Sequence, residues 1–150
     1  MPEVVVMVGL QGGGKSTWVK EHLAGTHVVV SKDLWPNARH KEIRQKRAIA
    51  EALDTGLDVV VDNTNPSRLE RAPIIDVARR NGASVRAVYV DASLADCLAR
   101  NAARSGRAVV PVVGILATHR RLVVPSPAEG FDSVEVVMPE PVRQVAAGAG

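Results

Sequence analysis

The chain has 150 residues, 46% of them hydrophobic, and its 19 Lys and Arg against 16 Asp and Glu give a formal net charge of +3. That is enough apolar material for one domain with a core, which excludes a disordered chain or a mini-protein. Trp18, Trp35, Tyr89 and Phe131 are the whole aromatic set, too few for a platform that stacks many bases, so any nucleic acid must be gripped mainly by charge.

Short Val-rich runs at 4–8, 28–30, 59–61, 85–90 and 134–138 alternate with amphipathic stretches at about 15–24, 37–55, 67–81, 93–104 and 112–123. β-Branched runs of this length read as strands buried on both faces, and the alternation predicts a three-layer α/β/α fold around a mainly parallel sheet of about five strands. Gly25, Gly56 and Gly82 stand just past the first three helices, where a left-handed cap favours glycine. The expected organisation is one domain over 1–145 with an Ala/Gly tail at 146–150. Cys97 reads as a small buried hydrophobe on a helix. No apolar run approaches the ~18 residues of a membrane span, and Val4 to Val8 lead into a glycine loop with no basic leader or cleavage site. An intracellular, cytoplasmic protein without a membrane partner is expected.

The first strand feeds Gly9-Leu10-Gln11-Gly12-Gly13-Gly14-Lys15-Ser16-Thr17, a full G-x-x-x-x-G-K-[ST] match between a strand and a helix. Gly12, Gly13 and Gly14 let backbone N–H groups converge on phosphates, the helix N-terminus adds partial positive charge, Lys15 adds a full one, and the Ser16 hydroxyl can ligate Mg²⁺ beside Thr17. This spells a nucleoside triphosphate site, with ATP and Mg²⁺ the expected ligands.

Asp33 follows the second strand, placed to orient and deprotonate an attacking hydroxyl, or else to cap a turn. A strand neighbouring the glycine-loop strand is assumed here, because strand carboxyl ends form the ligand crevice of such sheets. Asp62 closes the third strand, where it either holds a water of the metal or, with Asn63, organises the acceptor loop. Pro66 suits a first helical turn with Asn65 as its cap. The next-door helix at 37–55 carries Arg39 and Arg44, candidates for an acceptor phosphate, with Ile43, Ala50 and Leu53 spaced for the core. Trp35 either covers the core or stacks on a terminal base. Between Cys97 and Ala128 there are five arginines, Arg100, Arg104, Arg107, Arg120 and Arg121, and no acid. Arg100 and Arg104, four apart on one helix face, would repel each other unless an anion lies near, which suits a lid closing over phosphates.

The order of the glycine loop, Lys32-Asp33, Asp62-Asn63-Thr64-Asn65-Pro66, Arg100-Asn101 with Arg104, Val110-Pro111 and Ala128-Glu129-Gly130-Phe131 resembles the kinase domain of the polynucleotide kinase-phosphatases over residues 3–138. The resemblance implies ATP- and Mg²⁺-dependent phosphorylation of a 5′-hydroxyl end of DNA or RNA. Carried over, Lys15 and Ser16 serve ATP and Mg²⁺, Arg100 adds to the nucleotide site, Asp33 is the general base, Arg104 is the lid arginine, and Arg39, with Arg44 as rival, meets the acceptor's 3′-side phosphate. No D-x-D-G-T phosphatase motif occurs in these residues, so 3′-end healing is not expected of them. The alternatives are a kinase of sugars, nucleosides or antibiotics, and a nucleotide-binding module without catalysis.

Overall fold

The computed structural model describes residues 1–106 and 109–142; the expected tail at 146–150 and Arg107 lie outside them. Five strands, β1 (Glu3–Val8), β2 (His27–Val30), β3 (Asp58–Val61), β4 (Ser84–Val90) and β5 (Ser133–Val137), form one sheet in the order β2-β3-β1-β4-β5. Every pairing is parallel. Five helices, α1 (Lys15–His22), α2 (Lys41–Asp54), α3 (Arg68–Arg80), α4 (Leu94–Ala102) and α5 (Val112–Arg121), connect them, giving the expected α/β architecture.

Central β1 shows why Val-rich runs build this sheet. Val4, Val6 and Val8 face Ile49 and Leu53 of α2 and Ile74 and Ala78 of α3, whereas Val5 and Met7 face Val19 and nearby Leu23 on the α1 side. Both faces of β1 are therefore dry, and burying each such side chain stabilises the fold by about 2 kcal/mol. Only the three central strands have this character. Val28 and Val29 of β2 and Val136 of β5 are exposed, because an edge strand lacks a neighbour to extend the covering layer.

Several local expectations are corrected. Helix α2 starts at Lys41, after His40 in a left-handed conformation (φ 55°), so Arg39 precedes the helix. Its buried stripe is Gln45, Ile49, Ala52 and Leu53, and Ile43 is exposed. Helix α3 is capped by Ser67, whose hydroxyl accepts the Glu70 amide while the Glu70 carboxylate accepts the Ser67 amide. Asn65 cannot be that cap: its side-chain amide donates to the Met7 carbonyl at 2.8 Å and its φ is 42°. The predicted left-handed glycines are present, with φ of 79°, 78° and 71° at Gly25, Gly56 and Gly82.

Candidate active site

The glycine loop joins β1 to α1, and Gly14, in the left-handed region, caps α1. Gly12 is fixed twice over. Its φ is 78°, and a Cβ there would lie 2.7 Å from the Cys97 carbonyl oxygen, so α4 packs onto the loop's backbone. Cys97 is buried as expected, with its thiol pKa pushed up by that burial. Lys15 is only 8% exposed, and its ammonium donates to the Leu10 carbonyl at 2.8 Å. Burial, partly offset by Asp62, pulls its pKa down to about 8.

Ser16 Oγ donates to Asp62 Oδ2 at 2.8 Å. Asp62 reaches it because β3 is the strand beside β1. Burial raises the Asp62 pKa, against the lowering effects of the Ser16 hydrogen bond and of Lys15. A hydroxyl and a desolvated carboxylate are the hard oxygen donors a Mg²⁺ ion takes beside phosphates. Among the described residues no cluster of three or more His, Cys, Asp or Glu forms a metal cage. A cation here would take its protein oxygens from Ser16 and Asp62.

Asp33 arrives by a different route from the one assumed. Strand β2 is the sheet edge, with β3 between it and β1, and a 3-10 turn, Lys32–Leu34, carries Asp33 back toward the loop. Asn63 makes that turn rigid. Its Oδ1 accepts the Lys32 amide at 2.9 Å and its Nδ2 donates to Gln45 Oε1 at 2.7 Å, while Ser31 Oγ accepts the Asp33 amide. Asn63 also lines the cleft, yet its side chain is spent on protein partners.

Three spaces meet around these residues. A cavity of about 160 Å³ is lined by Lys15, Ser16, Thr17, Asp33, Asp62 and Arg104. A larger cleft of about 590 Å³ runs beside it between Trp18, Arg100, Arg104 and Pro139. Arg100 holds that cleft together, donating to the carbonyls of Gly12 at 3.3 Å and Glu140 at 2.7 Å. On the other side, about 320 Å³ is enclosed by Gln11, Lys32, Asp33, Asn63, Thr64 and Val110. Arg104 lies just past the end of α4, not on its face as the spacing predicts. Arg39 and Arg44 do not reach these spaces. They line a separate groove of about 500 Å³ with His40 and Arg47, where the Arg44 guanidinium sits 4.7 Å over the half-buried Trp35 ring.

The model of the AAA domain family matches residues 4–122. The chain belongs to that family. It is 30% identical over 140 residues to the bifunctional polynucleotide phosphatase/kinase of Schizosaccharomyces pombe, covering 90% of this chain and 33% of that protein. Among solved structures, the Pnkp1/Rnl/Hen1 RNA repair complex contains a chain that superposes with a TM-score of 0.69 at 20% identity, over 81% of this chain and 44% of that one. A sugar kinase from Janibacter sp. HTCC2649 superposes with a TM-score of 0.67 at 18% identity, over 92% and 86%. The chain spans about a third of the length of the curated relatives it matches. The family match and the curated relative bear out the resemblance drawn from the glycine loop and the Asp62 to Pro66 block, and the structures bear out the fold. No helix of the described residues is long and apolar enough to cross a membrane.

Sequence reasoning missed Arg71 and Thr118, and gave no role of their own to Gln11 and Glu129, which it quoted only as parts of the glycine loop and the Ala128 to Phe131 block. Arg71 had a readable signal: it falls on the apolar stripe of α3 with Ile74, Ile75 and Ala78, and a charge on such a stripe demands a buried partner. That partner is Glu129, at Nε to Oε1 2.8 Å.

Proposed function

We propose that residues 1–145 form one kinase domain that transfers the γ-phosphate of ATP to a 5′-hydroxyl end of DNA or RNA. The observation that carries this reading is Asp33, the carboxylate lining both the cavity of Lys15 and Ser16 and the cleft beyond it. A donor phosphate in the first space and a hydroxyl in the second would meet at its side chain. Asp33 orients the hydroxyl and takes its proton as the oxygen bonds to the γ-phosphorus and the bond to the β-phosphate oxygen breaks, releasing ADP. Lys15 and Arg104 spread the charge of the transferring group. Ser16 and Asp62 would hold Mg²⁺, which supplies neutralising charge on the phosphate oxygens. The cleft between Trp18, Arg100 and Pro139 takes the nucleoside.

The polynucleotide acceptor is supported by the fission-yeast relative's named activity and by the basic groove of Arg39, His40, Arg44 and Arg47 on the Asp33 side of the fold. A second reading, a small-molecule kinase, is favoured by the size of the acceptor cleft, about 320 Å³, and by the sugar-kinase neighbour of comparable extent. Incubation of γ-labelled ATP with 5′-hydroxyl DNA, 5′-hydroxyl RNA, nucleosides and sugars decides between them. Label on oligonucleotide ends is expected; label on sugars or nucleosides alone replaces the first reading with the second. Asp33→Asn should keep ATP binding and lose transfer, and undiminished transfer would remove Asp33 as the base.

A further inference from the structure

Arg71 is fully buried, and its guanidinium holds three separate pieces of chain. Nε and Nη2 donate to the two carboxylate oxygens of Glu129 at 2.8 and 3.0 Å, while Nη1 is shared among the carbonyls of Asn65, Pro66 and Val123 at 3.0, 3.1 and 3.0 Å. Asn65 and Pro66 end the loop whose Asn63 and Thr64 line the acceptor cleft. Val123 lies just past the end of α5, and its own amide donates to the Pro66 carbonyl at 2.8 Å.

The same helix touches the donor side. Gln11 Nε2 of the glycine loop donates to Thr118 Oγ1 of α5 at 3.0 Å. The single hydroxyl proton of Thr118 goes to the Gly114 carbonyl at 2.9 Å, so toward Gln11 it can only accept, which fixes the orientation of the amide. Gln11 Oε1 is left buried without a hydrogen-bond partner among the described residues. On the P-loop side of the acceptor loop, the Gly9 amide donates to the Thr64 carbonyl at 3.0 Å. Helix α5 is therefore a strut fastened to the donor loop through Gln11 and to the acceptor loop through Arg71.

We propose that Arg71 is a positioning residue for the acceptor. Glu129 neutralises its charge, and Nη1 sets the Asp62 to Pro66 connection and the tail of α5 in one register, so that an acceptor hydroxyl stands at the right distance from Asp33 and the γ-phosphate. A buried ion pair contributes little net stability, because desolvation offsets its attraction, and two apolar side chains of similar volume would pack as well. They could not hold three carbonyls from two loops. The proposal rests on the phosphotransfer reading but is independent of which acceptor is used.

The test compares Arg71→Lys and Glu129→Gln in the whole chain, measuring ATP affinity by titration and kcat and KM for the acceptor that the labelling panel identifies. Arg71→Lys keeps a charge for Glu129 and loses the fork that reaches the carbonyls. It should lower acceptor kcat/KM by about 30-fold while ATP affinity stays within about twofold, since misplacement of a reacting group by about 1 Å costs up to about 100-fold. Glu129→Gln keeps the Nη1 bonds and should cost less. Lower melting temperatures with unchanged acceptor kcat/KM, or ATP and acceptor terms weakening by one common factor, would overturn the positioning role. If Arg71→Lys does not fold, hydrogen exchange on the wild-type protein decides. Adding acceptor to the ADP complex should raise protection at the Gly9 and Val123 amides, and no change there while the acceptor binds overturns the proposal. Label on a sugar rather than an oligonucleotide would end the polynucleotide reading and leave the Arg71 comparison to be made on that sugar.

Discussion

Ser16 and Asp62, 46 residues apart, are joined by a 2.8 Å hydrogen bond that ties the start of α1 to the end of β3. The bond exists because β3 pairs directly with β1 in register Val6 to Val61, which brings the next residue of one strand and the loop of the other together at the carboxyl ends of the strands. Asp62 is held there against the cost of its own desolvation.

That cost makes Asp62→Asn a two-sided variant. With its pKa raised by burial, the folded protein keeps the Asp62 proton at pH values where the unfolded chain has lost it, so ionisation destabilises the fold as pH rises through that window. Replacement by Asn should stabilise the free protein at neutral pH and raise the Mg²⁺ concentration needed for ATP binding by about tenfold, a loss comparable to removing a residue that supports a metal ligand. Urea melts and Mg²⁺ titrations read the two effects separately. A variant that is less stable and equally Mg²⁺-responsive would contradict both.

Lys15 carries the same conflict with opposite charge. Its pKa falls to about 8 from the ordinary lysine value of 10.5, so between those values the unfolded chain binds the proton and the folded protein does not, and stability rises with pH across that window. Below pH 8 the penalty for a buried ammonium is complete, on the order of 3 kcal/mol for a shift of this size. Lys15→Met should therefore be more stable than wild type at pH 7, with the advantage shrinking toward pH 10.5, while ATP binding drops sharply. Because phosphates favour the charged form, wild-type ATP affinity should decline above pH 8 at a slope approaching one proton per pH unit. A flat affinity profile from pH 7 to 9.5 would remove Lys15 as the charge that ATP meets.

The β-strand positions and the glycine loop were legible because each rests on local information: Val-rich runs of three to six residues and an eight-residue motif. The strand order was not. Placing Asp33 just past a strand that adjoins β1 fails since nothing local distinguishes edge β2 from its neighbour β3, whose runs of three valines are alike. Asp33 still enters the site, through the 3-10 turn and the Asn63 bridge to Gln45, contacts that depend on residues 18 apart. Arg71 and Glu129 are 58 apart, and only the burial of a charge on a helix stripe hinted that such a partner existed.

At the opposite, N-terminal end of the strands, Glu3 bonds to His27 Nε2 at 2.8 Å and to Arg86 at 3.2 Å, and Arg86 reaches Glu135 at 3.2 Å, a ladder across the sheet. Burial alone would raise the Glu3 pKa, but its hydrogen bonds with His27 and Arg86 outweigh that and lower it. The folded protein then releases this proton more readily than the unfolded chain. Its contribution is present above the unfolded pKa, near 4.5, and is lost as pH falls through the lower folded value. Glu3→Gln should lower stability at pH 7 and flatten the acid limb of the stability curve below pH 5. An acid limb identical to wild type would show that Glu3 does not contribute.

The groove around Trp35 separates charge from chemistry. Arg44 lies 4.7 Å over the Trp35 ring and Arg39 is exposed beside it, both outside the space that Asp33 shares with Lys15. If a polynucleotide strand leaves the cleft along this groove, its phosphates meet these guanidiniums at a distance from the reacting hydroxyl. Arg39→Ala and Arg44→Ala should then raise the KM for oligonucleotides whatever their sequence, and each should reduce the slope of log affinity against log salt by about one. Turnover at saturating oligonucleotide should hold, because neither side chain faces the transferring phosphate. For Arg44 the stack adds a further cost: Trp35 loses the cation over its ring, about 0.5–1 kcal/mol at an exposed site, which thermal melts would register in the absence of any acceptor. Unchanged KM and salt slope in both variants would move the strand's path off this face, leaving the Trp35 and Arg44 stack with a packing role alone.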